Sequence, residues 1–316
     1  MILNGSRPKF GTDGWRGIIG KDFDTKNCFL VAASLLSLSP EIKKVVIGYD
    51  TRKLSKEISI KISNFYLSKG IKVFLSECPI PTPVVSFSVK NLSADYGIVI
   101  TASHNSKIWN GIKIKNKHGQ SISAEKANKL TNIISNHSLN DSDFNKFNIN
   151  NSLENIEFDL LTDYINSVRK IVNIDQIRNS NVNIIIDCMF GTSSKILNRI
   201  IGNGNFKIKE INNSQNSSFP GIKQPEPIEE NLSNLKINVL ESRAAIGFAY
   251  DADSDRLGVI DNESNYIDAP YAFCLMIDHV LGNRKEIKNI STTVSMSAMA
   301  DKIAKKYNVE CYRTKI

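Results

Sequence analysis

The stretch YGIVITASHN, residues 96–105, changes from apolar to small polar residues within a few positions. The apolar half is typical of a buried strand, and the polar half is typical of a tight loop at the end of that strand. In open α/β sheets, ligands bind at the carboxyl ends of the strands. We therefore expect Ser103, His104 and Asn105 to lie at a functional sheet edge, with Ser103 as the reactive centre.

Composition and charge are those of an ordinary globular protein with room for more than one domain. The chain has 316 residues, of which 41% are hydrophobic and 23% charged, and its formal net charge is +8. The lysines are dispersed rather than clustered, so we expect no nucleic-acid partner.

No apolar run is long enough to span a membrane, and the first residues predict no secretory signal. Five scattered cysteines without a Cys-x-x-Cys pair are typical of reduced thiols, so we expect a cytoplasmic protein with no membrane partner.

Strand-like and helix-like segments alternate along the whole chain. This alternation is typical of βαβ units and predicts an α/β fold with mostly parallel sheets. Residues 136–156 are rich in Asn, Ser and Asp, which predicts a surface loop or a domain linker. We expect a second unit to follow this linker and a third unit to begin near Asp261.

Some local features give definite expectations. Ser55 is expected to cap a helix that runs to residue 68, and residues 158–172 are expected to form one amphipathic helix. His279 lies on an apolar helix and is expected to be a packed histidine. The third unit stops just after a strand, so we expect one sheet edge to be uncovered.

A second polar segment, DADSDR at 251–256, also follows an apolar strand. The carboxylates of Asp251, Asp253 and Asp255 can converge on one side of the backbone, where they would repel one another without a cation. All-oxygen ligands suit Mg²⁺ or Ca²⁺. The segment is not an EF-hand, because Arg256 stands where that loop needs glycine. A solvated acidic turn is the alternative, and the position after a buried strand favours the metal site.

Near the N-terminus, the segment KFGTDGWRG at 9–17 predicts a tight turn around Thr12, Asp13 and Arg16. Glycine-rich turns bring backbone N–H groups close to an anion, and arginine adds a bidentate fork for phosphate. The pattern of a Walker P-loop is absent from it. A plain loop before the first helix is the alternative.

The residue types near Ser103 favour phosphoryl transfer over hydrolysis. No Gly-x-Ser-x-Gly elbow is present, and His104 is too close in sequence to turn back onto the Ser103 hydroxyl. A serine combined with a divalent metal, arginines and phosphate-type loops fits transfer through a phosphoserine. Lys113 is a candidate general acid or base, with a pKa lowered by neighbouring cations. A polar loop cap without chemistry is the alternative for Ser103.

Seven motifs follow one another along the chain: FGTDGWRG at 10–17, GYDTR at 48–52, PTP at 81–83, TASHN at 101–105 continuing to Lys113, DCMFG at 187–191, PEP at 225–227 and DADSDR at 251–256. With these motifs in this order, the chain resembles the α-D-phosphohexomutases, the family of phosphoglucomutase, phosphomannomutase and phosphoglucosamine mutase. The resemblance covers essentially the whole chain.

The resemblance implies a phosphoserine, a magnesium site and a set of basic catalytic residues. Ser103 would be the phosphoserine. The ligands of the single Mg²⁺ would be Ser103, Asp251, Asp253 and Asp255. The other residues of the catalytic centre would be Arg16, His104, Lys113 and Arg256.

The implied reaction interconverts hexose 1-phosphate and hexose 6-phosphate through a bisphosphorylated intermediate. The partner would be a phosphosugar substrate, with hexose 1,6-bisphosphate as activator. Trp15 in the first motif favours glucose or mannose as the sugar, because the resemblance implies an aliphatic residue there in glucosamine-type enzymes. The oligomeric state stays open.

The resemblance also implies successive three-layer α/β/α domains with mixed, mostly parallel sheets. Domain I, with the phosphoserine loop, would span 1–150, domain II, with the metal loop, 151–261, and a partial domain III 262–316. The rest of domain III, with its sugar-recognising loop, and a fourth domain would be missing. We therefore expect residues 1–316 alone to carry the phosphoryl-transfer and metal parts with little or no mutase turnover.

Two other functions stay open at this point. Asp251 as nucleophile and Asp253 as acid would make a phosphatase of the haloacid dehalogenase kind, but that chemistry needs Thr or Val where Asp255 stands. The second alternative is an inactive truncated homologue that acts as a phosphosugar-binding or regulatory module.

Overall fold

The computed structural model describes residues 6–11, 13–137, 141–148, 157–284 and 286–315. Thr12 of the N-terminal turn therefore lies outside the described residues. The described strands form a six-stranded, a five-stranded and a two-stranded sheet, with helices packed against them. The predicted α/β class, with mixed and mostly parallel sheets, is confirmed. No described helix is both long enough and apolar enough to cross a membrane.

The first sheet contains β1 (Trp15–Ile18), β2 (Lys44–Tyr49), β3 (Lys72–Ser76), β4 (Tyr96–Ile100), β5 (Trp109–Lys115) and β6 (Glu157–Phe158). Its strand order is β1-β5-β4-β2-β3-β6. Strands β4, β2, β3 and β6 run parallel, whereas β5 is antiparallel to both β4 and β1. The hairpin formed by β4 and β5 encloses the loop that carries Ser103.

Helices cover both faces of this sheet. They are α1 (Thr25–Leu38), α2 (Ser55–Ser68), α3 (Thr82–Asn91), α4 (Ala124–Asn136), α5 (Asp141–Asn148) and α6 (Leu161–Ile171). The alternation of side chains along β2 separates the two cores, because Val45 and Ile47 join the core under α1 and α2 while Val46 joins the core under α3 and α6. The first sheet is therefore the middle layer of an α/β/α domain.

The second sheet contains β7 (Asn183–Asp187), β8 (Lys207–Ile211), β9 (Ile246–Tyr250), β10 (Leu257–Asp261) and β11 (Tyr266–Ile267). Its order is β11-β10-β9-β7-β8, with β9, β7 and β8 parallel. The accompanying helices are α7 (Ile174–Arg178), α8 (Ile196–Ile201) and α9 (Ser233–Glu241), with a short 3-10 helix at Glu229–Asn231. Buried Leu235 and Val239 of α9 pack on Ile185 of β7.

The last described part is a smaller unit. It contains α10 (Ala269–Asn283), β12 (Asn289–Thr293), α11 (Met299–Lys306) and β13 (Glu310–Thr314). The two strands pair in parallel, and α10 and α11 share a small core around Cys274, Leu281 and Ala300. Among the described residues no further strand pairs with β12 or β13, as the sequence predicted.

Two predictions about the linker region are wrong. Within the expected loop at 136–156, residues 141–148 form α5, which buries Phe147 completely against the ring of Phe29. Residues 138–140 and 149–156 lie outside the described part. The helix expected over 158–172 begins only at Leu161, because Phe158 pairs with β3 and the Asp159 carboxylate accepts hydrogen bonds from the first helical N–H groups.

Three further predictions need correction. Strand β11 pairs with β10, so the second sheet extends to Ile267, past the boundary expected at 261. Ser55 does not cap α2, because it is the first helical residue and its hydroxyl donates to Asp50 at 2.7 Å. His279 is exposed on α10 rather than packed, since the apolar face of that helix is turned towards α11.

The burial of Phe147 makes a prediction about α5. Replacing Phe147 with Ala removes a fully buried aromatic ring, so we expect the free energy of unfolding to fall by about 3 kcal/mol. Urea denaturation followed by circular dichroism measures this change. Phe158→Ala is the control, since Phe158 is 40% exposed and its loss should cost much less. Equal effects of the two substitutions would show that α5 does not pack as described.

Candidate active site

The serine loop, residues 101–109, leaves the first sheet at the end of β4 and returns as β5. Ser103 has a left-handed backbone conformation, with φ at +51°, which a non-glycine residue adopts only when its surroundings hold it. Its N–H donates to Thr101 Oγ1 at 2.8 Å, and the Thr101 hydroxyl donates to Asp50 at 2.7 Å. The nucleophile candidate is therefore tied to the end of β2 as well as to its own strand.

Close approach of three backbone segments fixes the base of the serine loop. A Cβ atom at Gly111 would lie 2.3 Å from the carbonyl oxygen of Trp15 and 2.8 Å from that of Thr101. Any larger residue would therefore push β1 or the serine loop away from β5. Glycine at this position lets β1 lie against the same strand that carries Lys113.

The acidic loop, residues 251–256, leaves the second sheet at the end of β9. Asp251 and Asp253 are fully buried, Asp255 is exposed, and carboxylate oxygens of all three lie within 4.8 Å of one another. Asp251 Oδ1 accepts hydrogen bonds from the N–H groups of Asp255 and Arg256, each at 3.0 Å. The loop thus curls around its first carboxylate, as the alternate spacing of the acids predicted.

Direct contacts join the two loops across the junction of the first and second sheets. The Ser103 hydroxyl donates to Asp251 Oδ2 at 2.7 Å. Thr82, at the start of α3, donates its hydroxyl to Asp253 Oδ2 at 2.6 Å and its N–H to the Asp253 carbonyl at 2.9 Å. These bonds bring the predicted nucleophile and the predicted metal ligands into one site.

Lys113 on β5 lies at the centre of this site. Its ammonium group contacts Asp253 at 2.9 Å, Asp255 at 2.7 Å and Asp13 at 3.1 Å. Burial by itself lowers the pKa of Lys113, but the three carboxylates outweigh burial and raise that pKa above its ordinary value. The expected lowering of the Lys113 pKa is therefore wrong, because the neighbours of this lysine are acids rather than cations.

Charge also separates the pKa values of the two buried acids. Burial, together with repulsion from Asp253 and Asp255, raises the pKa of Asp251 to about 8. Burial acts in the same direction on Asp253, but Lys113 and the Thr82 hydroxyl overcome it and hold the Asp253 pKa below its usual range. Asp251 is therefore the acid that most needs additional positive charge.

The remaining predicted residues surround the serine loop. Arg16 donates to the side-chain oxygen of Asn105 at 2.6 Å and lies 3.4 Å from Asp13. Arg256 and His104 meet at the carboxylate of Glu226, at 2.6 Å and 3.9 Å respectively. All five predicted catalytic residues thus touch the serine loop, the acidic loop or Glu226. Burial, followed by the charge of Arg256, lowers the pKa of His104.

Sequence reasoning assigned no role to several residues that the structure places here. Thr82 and Glu226 stood in the quoted PTP and PEP motifs, so the sequence contained a signal for them but no physical reason. Asp13 stood in the glycine-rich turn, and the sequence indicated no partner for its carboxylate. Arg52 stood in the GYDTR motif, and its contacts become clear only when β2 and the serine loop are seen together.

Two domain models of one protein family match this chain. Residues 7–141 match the model of phosphoglucomutase/phosphomannomutase alpha/beta/alpha domain I, and residues 162–264 match that of domain II. The phosphoglucosamine/phosphogalactosamine mutase of Sulfurisphaera tokodaii is 29% identical over 97% of this chain and 67% of its own length. The phosphoglucosamine mutase of Methanococcus vannielii is 32% identical over 97% of this chain and 66% of its own length.

A solved protein from Thermus thermophilus shares the fold, with a TM-score of 0.85 and 24% identity over 98% of this chain and 70% of its own. Fold and site together define a multidomain α/β protein with a serine loop facing an acidic loop. The two domain models identify the family: the chain belongs to the α-D-phosphohexomutases. It spans about two thirds of the length of the two curated relatives.

The contact between Lys113 and Asp253 makes a stability prediction for the metal-free protein. In EDTA, Lys113→Met leaves the buried Asp253 carboxylate without its cationic partner, so we expect the free energy of unfolding to fall by about 3 kcal/mol. Urea denaturation at neutral pH measures the loss. Lys129→Met, which breaks the exposed Lys129–Glu125 pair, is the control and should change stability very little.

A second substitution makes the same test sharper. Adding Asp253→Asn to Lys113→Met removes the charge that the first change left unpaired, so the double variant should lose less stability than the sum of the two single variants. Strict additivity would mean that the two side chains do not interact in solution.

Proposed function

We propose that this chain carries out phosphoryl transfer between a phosphosugar and Ser103, as part of the interconversion of hexose 1-phosphate and hexose 6-phosphate. The observation that carries the proposal is the 2.7 Å hydrogen bond from the Ser103 hydroxyl to Asp251, within a cluster of three carboxylates of which two are buried. A serine in this position has a proton acceptor and lies beside a site for positive charge. Those are the two requirements for a serine that accepts a phosphoryl group.

The residues of the acidic loop fit a divalent cation. Asp253 Oδ2 is occupied by Thr82 and Lys113, whereas its buried Oδ1 has no hydrogen-bond partner in the described part of the chain. A buried carboxylate oxygen without a partner is costly unless an ion or water satisfies it. Hard oxygen donors of this kind suit Mg²⁺. We infer that Asp251, Asp253 and Asp255, with the oxygen of Ser103, hold one Mg²⁺, which when bound would neutralise charge on a transferring phosphoryl group.

The other side chains have separate proposed tasks. Asp251 Oδ2 accepts the hydrogen bond from the Ser103 hydroxyl and so orients the serine oxygen. Arg16, His104 and Arg256 supply donors around the serine loop for the oxygens of a substrate phosphate. Lys113 keeps Asp253 and Asp255 in place through its two short contacts and adds positive charge at the reacting centre. Its raised pKa keeps it protonated and makes it a weak proton donor, so the role we propose for it is electrostatic rather than that of the general acid or base first expected.

The sugar and the activator are also proposals. Glucose or mannose was expected from Trp15, but both curated relatives described above are named for phosphoglucosamine, which favours a glucosamine phosphate. Hexose 1,6-bisphosphate is the proposed activator because it would deliver the first phosphoryl group to Ser103. We assign the serine loop to domain I and the acidic loop to domain II, with domain boundaries near 150 and between β11 and α10.

Labelling of Ser103 tests the central proposal. Incubation with glucose 1,6-bisphosphate and Mg²⁺ should add one phosphoryl group, located at Ser103 by peptide mass spectrometry. Ser103→Ala should take up none, because the accepting oxygen is gone, whereas Ser135→Ala, on an exposed helix surface, should label like the unchanged protein. Absence of label from the unchanged protein would favour a phosphosugar-binding or regulatory module.

The raised pKa of Asp251 predicts a pH-dependent affinity for Mg²⁺. At pH values below the Asp251 pKa of about 8, the metal-free protein keeps a proton on Asp251. A cation that binds there must displace this proton. Affinity should therefore strengthen as the pH rises towards about 8 and then level off. Calorimetry in buffers of different ionisation enthalpy would detect the released proton.

A pair of variants controls this measurement. Asp253→Asn should abolish binding, and Glu241→Gln, an exposed acid at the end of α9, should leave it unchanged. Affinity that does not vary with pH over this range would contradict the role given to Asp251.

A further inference from the structure

Arg52 makes an unusual set of contacts with the serine loop. Its guanidinium group is buried, and it donates to the carbonyl oxygens of Ser103 and Asn105 at 2.5 Å each, of Ser106 at 2.9 Å and of Trp109 at 3.1 Å. These four carbonyls span the loop from the serine to the start of β5. A single side chain therefore fixes the path of the backbone on both sides of the nucleophile candidate.

The charge of Arg52 is already matched within the protein. Its Nε lies 3.2 Å from Asp50 Oδ2, and both side chains of this pair are fully inaccessible to solvent. The same Asp50 also accepts the hydroxyls of Thr101 and Ser55. With four carbonyls and one carboxylate around it, the guanidinium group has no free face for a phosphate. Arg52 differs in this respect from Arg16 and Arg256, which are partly exposed.

The outer face of Arg52 is covered by the second domain. The ring of Phe219 lies over the guanidinium carbon at 5.1 Å, and Phe219 is 1% exposed. The same ring packs with Phe190 and Ala252, and Ala252 lies between two acids of the acidic loop. A second contact also joins the segment around Arg52 to the second domain: the Thr51 hydroxyl donates to the carbonyl oxygen of Phe190 at 2.8 Å.

We propose that Asp50, Arg52 and Phe219 form a clamp that holds the serine loop in its transfer-competent shape and couples that shape to the position of the acidic loop. Arg52 and Phe219 are positioning residues: they act through the backbone around Ser103 and do not touch substrate. The kinetic consequence rests on the function proposed above. The structural consequence, a loop that loosens when the clamp is cut, does not depend on it.

The first arm measures the serine loop directly by hydrogen–deuterium exchange. Within the loop, the N–H groups of Ser103, Asn105 and Trp109 are hydrogen-bonded and should exchange slowly in the unchanged protein. Arg52→Lys should speed exchange over 101–109, because a single ammonium group cannot reach four carbonyls at once. Arg169→Lys is the matched control, since Arg169 also donates to backbone carbonyls but far from the serine loop.

Phe219→Leu provides a milder variant that keeps the Asp50–Arg52 pair intact. It should speed exchange over the same segment without unfolding the protein. Phe29→Leu is its matched control, because Phe29 is a buried ring of α1 and its replacement should lower stability without affecting the serine loop. Unchanged exchange at 101–109 in both clamp variants, or an equal increase throughout the chain, would overturn the proposal.

The second arm measures the rate of Ser103 labelling by glucose 1,6-bisphosphate and Mg²⁺. Misplacement of a reacting oxygen by about 1 Å costs about 100-fold in rate, so Arg52→Lys should lower the maximal rate by about that factor. Phe219→Leu should lower it by roughly 3- to 10-fold, the range of one cation–π contact. The bisphosphate concentration at half-maximal rate should not change, because the Arg52 side chain is fully inaccessible to solvent and cannot reach a bound phosphate.

The two arms separate failure of the clamp from failure of the proposed function. If the unchanged protein takes no label, the function proposed above is wrong, and hydrogen–deuterium exchange alone decides the clamp. If the unchanged protein labels and both clamp variants label at its rate, the clamp is wrong. A higher half-maximal concentration in Arg52→Lys at an unchanged maximal rate would also overturn it, because Arg52 would then be a phosphate ligand.

Discussion

Three carboxylates within 4.8 Å of one another, two of them fully buried, are the constraint on which the centre of this molecule depends. Burying a carboxylate costs several kcal/mol unless charge and hydrogen bonds compensate for it. The first domain supplies that compensation, through Lys113 on β5, Thr82 at the start of α3 and the hydroxyl of Ser103. The acidic loop of the second domain therefore depends on contacts from the first domain to offset the cost of burying its carboxylates.

The sheet topology explains how so few residues can satisfy that constraint. Strands β4 and β9 both end in polar loops, and β5 returns antiparallel beside β4, so Lys113 lies next to the loop that it must face. Carboxyl ends of strands from two sheets then meet at one junction, where ligands of open α/β sheets bind. Arg52 follows the end of β2, the strand beside β4, and gives the serine loop its shape. Each of these side chains is positioned by its own domain, and the site forms where the two domains meet.

Much of this could be predicted from sequence, and the failures have a common cause. Strands β4 and β9 and the polar loops that follow them were predicted because burial on a sheet leaves a local pattern of apolar residues. The α5 helix was missed because its sequence is polar apart from Phe144 and Phe147, and both of these rings pack on Phe29 of α1. Local pattern cannot reveal contacts of this kind. The pKa of Lys113 was misjudged for the same reason, since the acids that raise it come from residues far away in the chain.

The two oxygens of Asp253 show why the lysine and a cation are complementary rather than competing. Oδ2 is shared by Lys113 and Thr82, while the buried Oδ1 has no partner among the described residues. Lys113 therefore offsets part of the negative charge without occupying every acceptor, and the raised pKa of Asp251 shows that the offset is incomplete. With three carboxylates against one lysine, and with one buried oxygen left open, the site has a net negative charge that the proposed divalent cation would balance. That residual imbalance lies directly beside the Ser103 oxygen, where a phosphoryl group would add negative charge of its own.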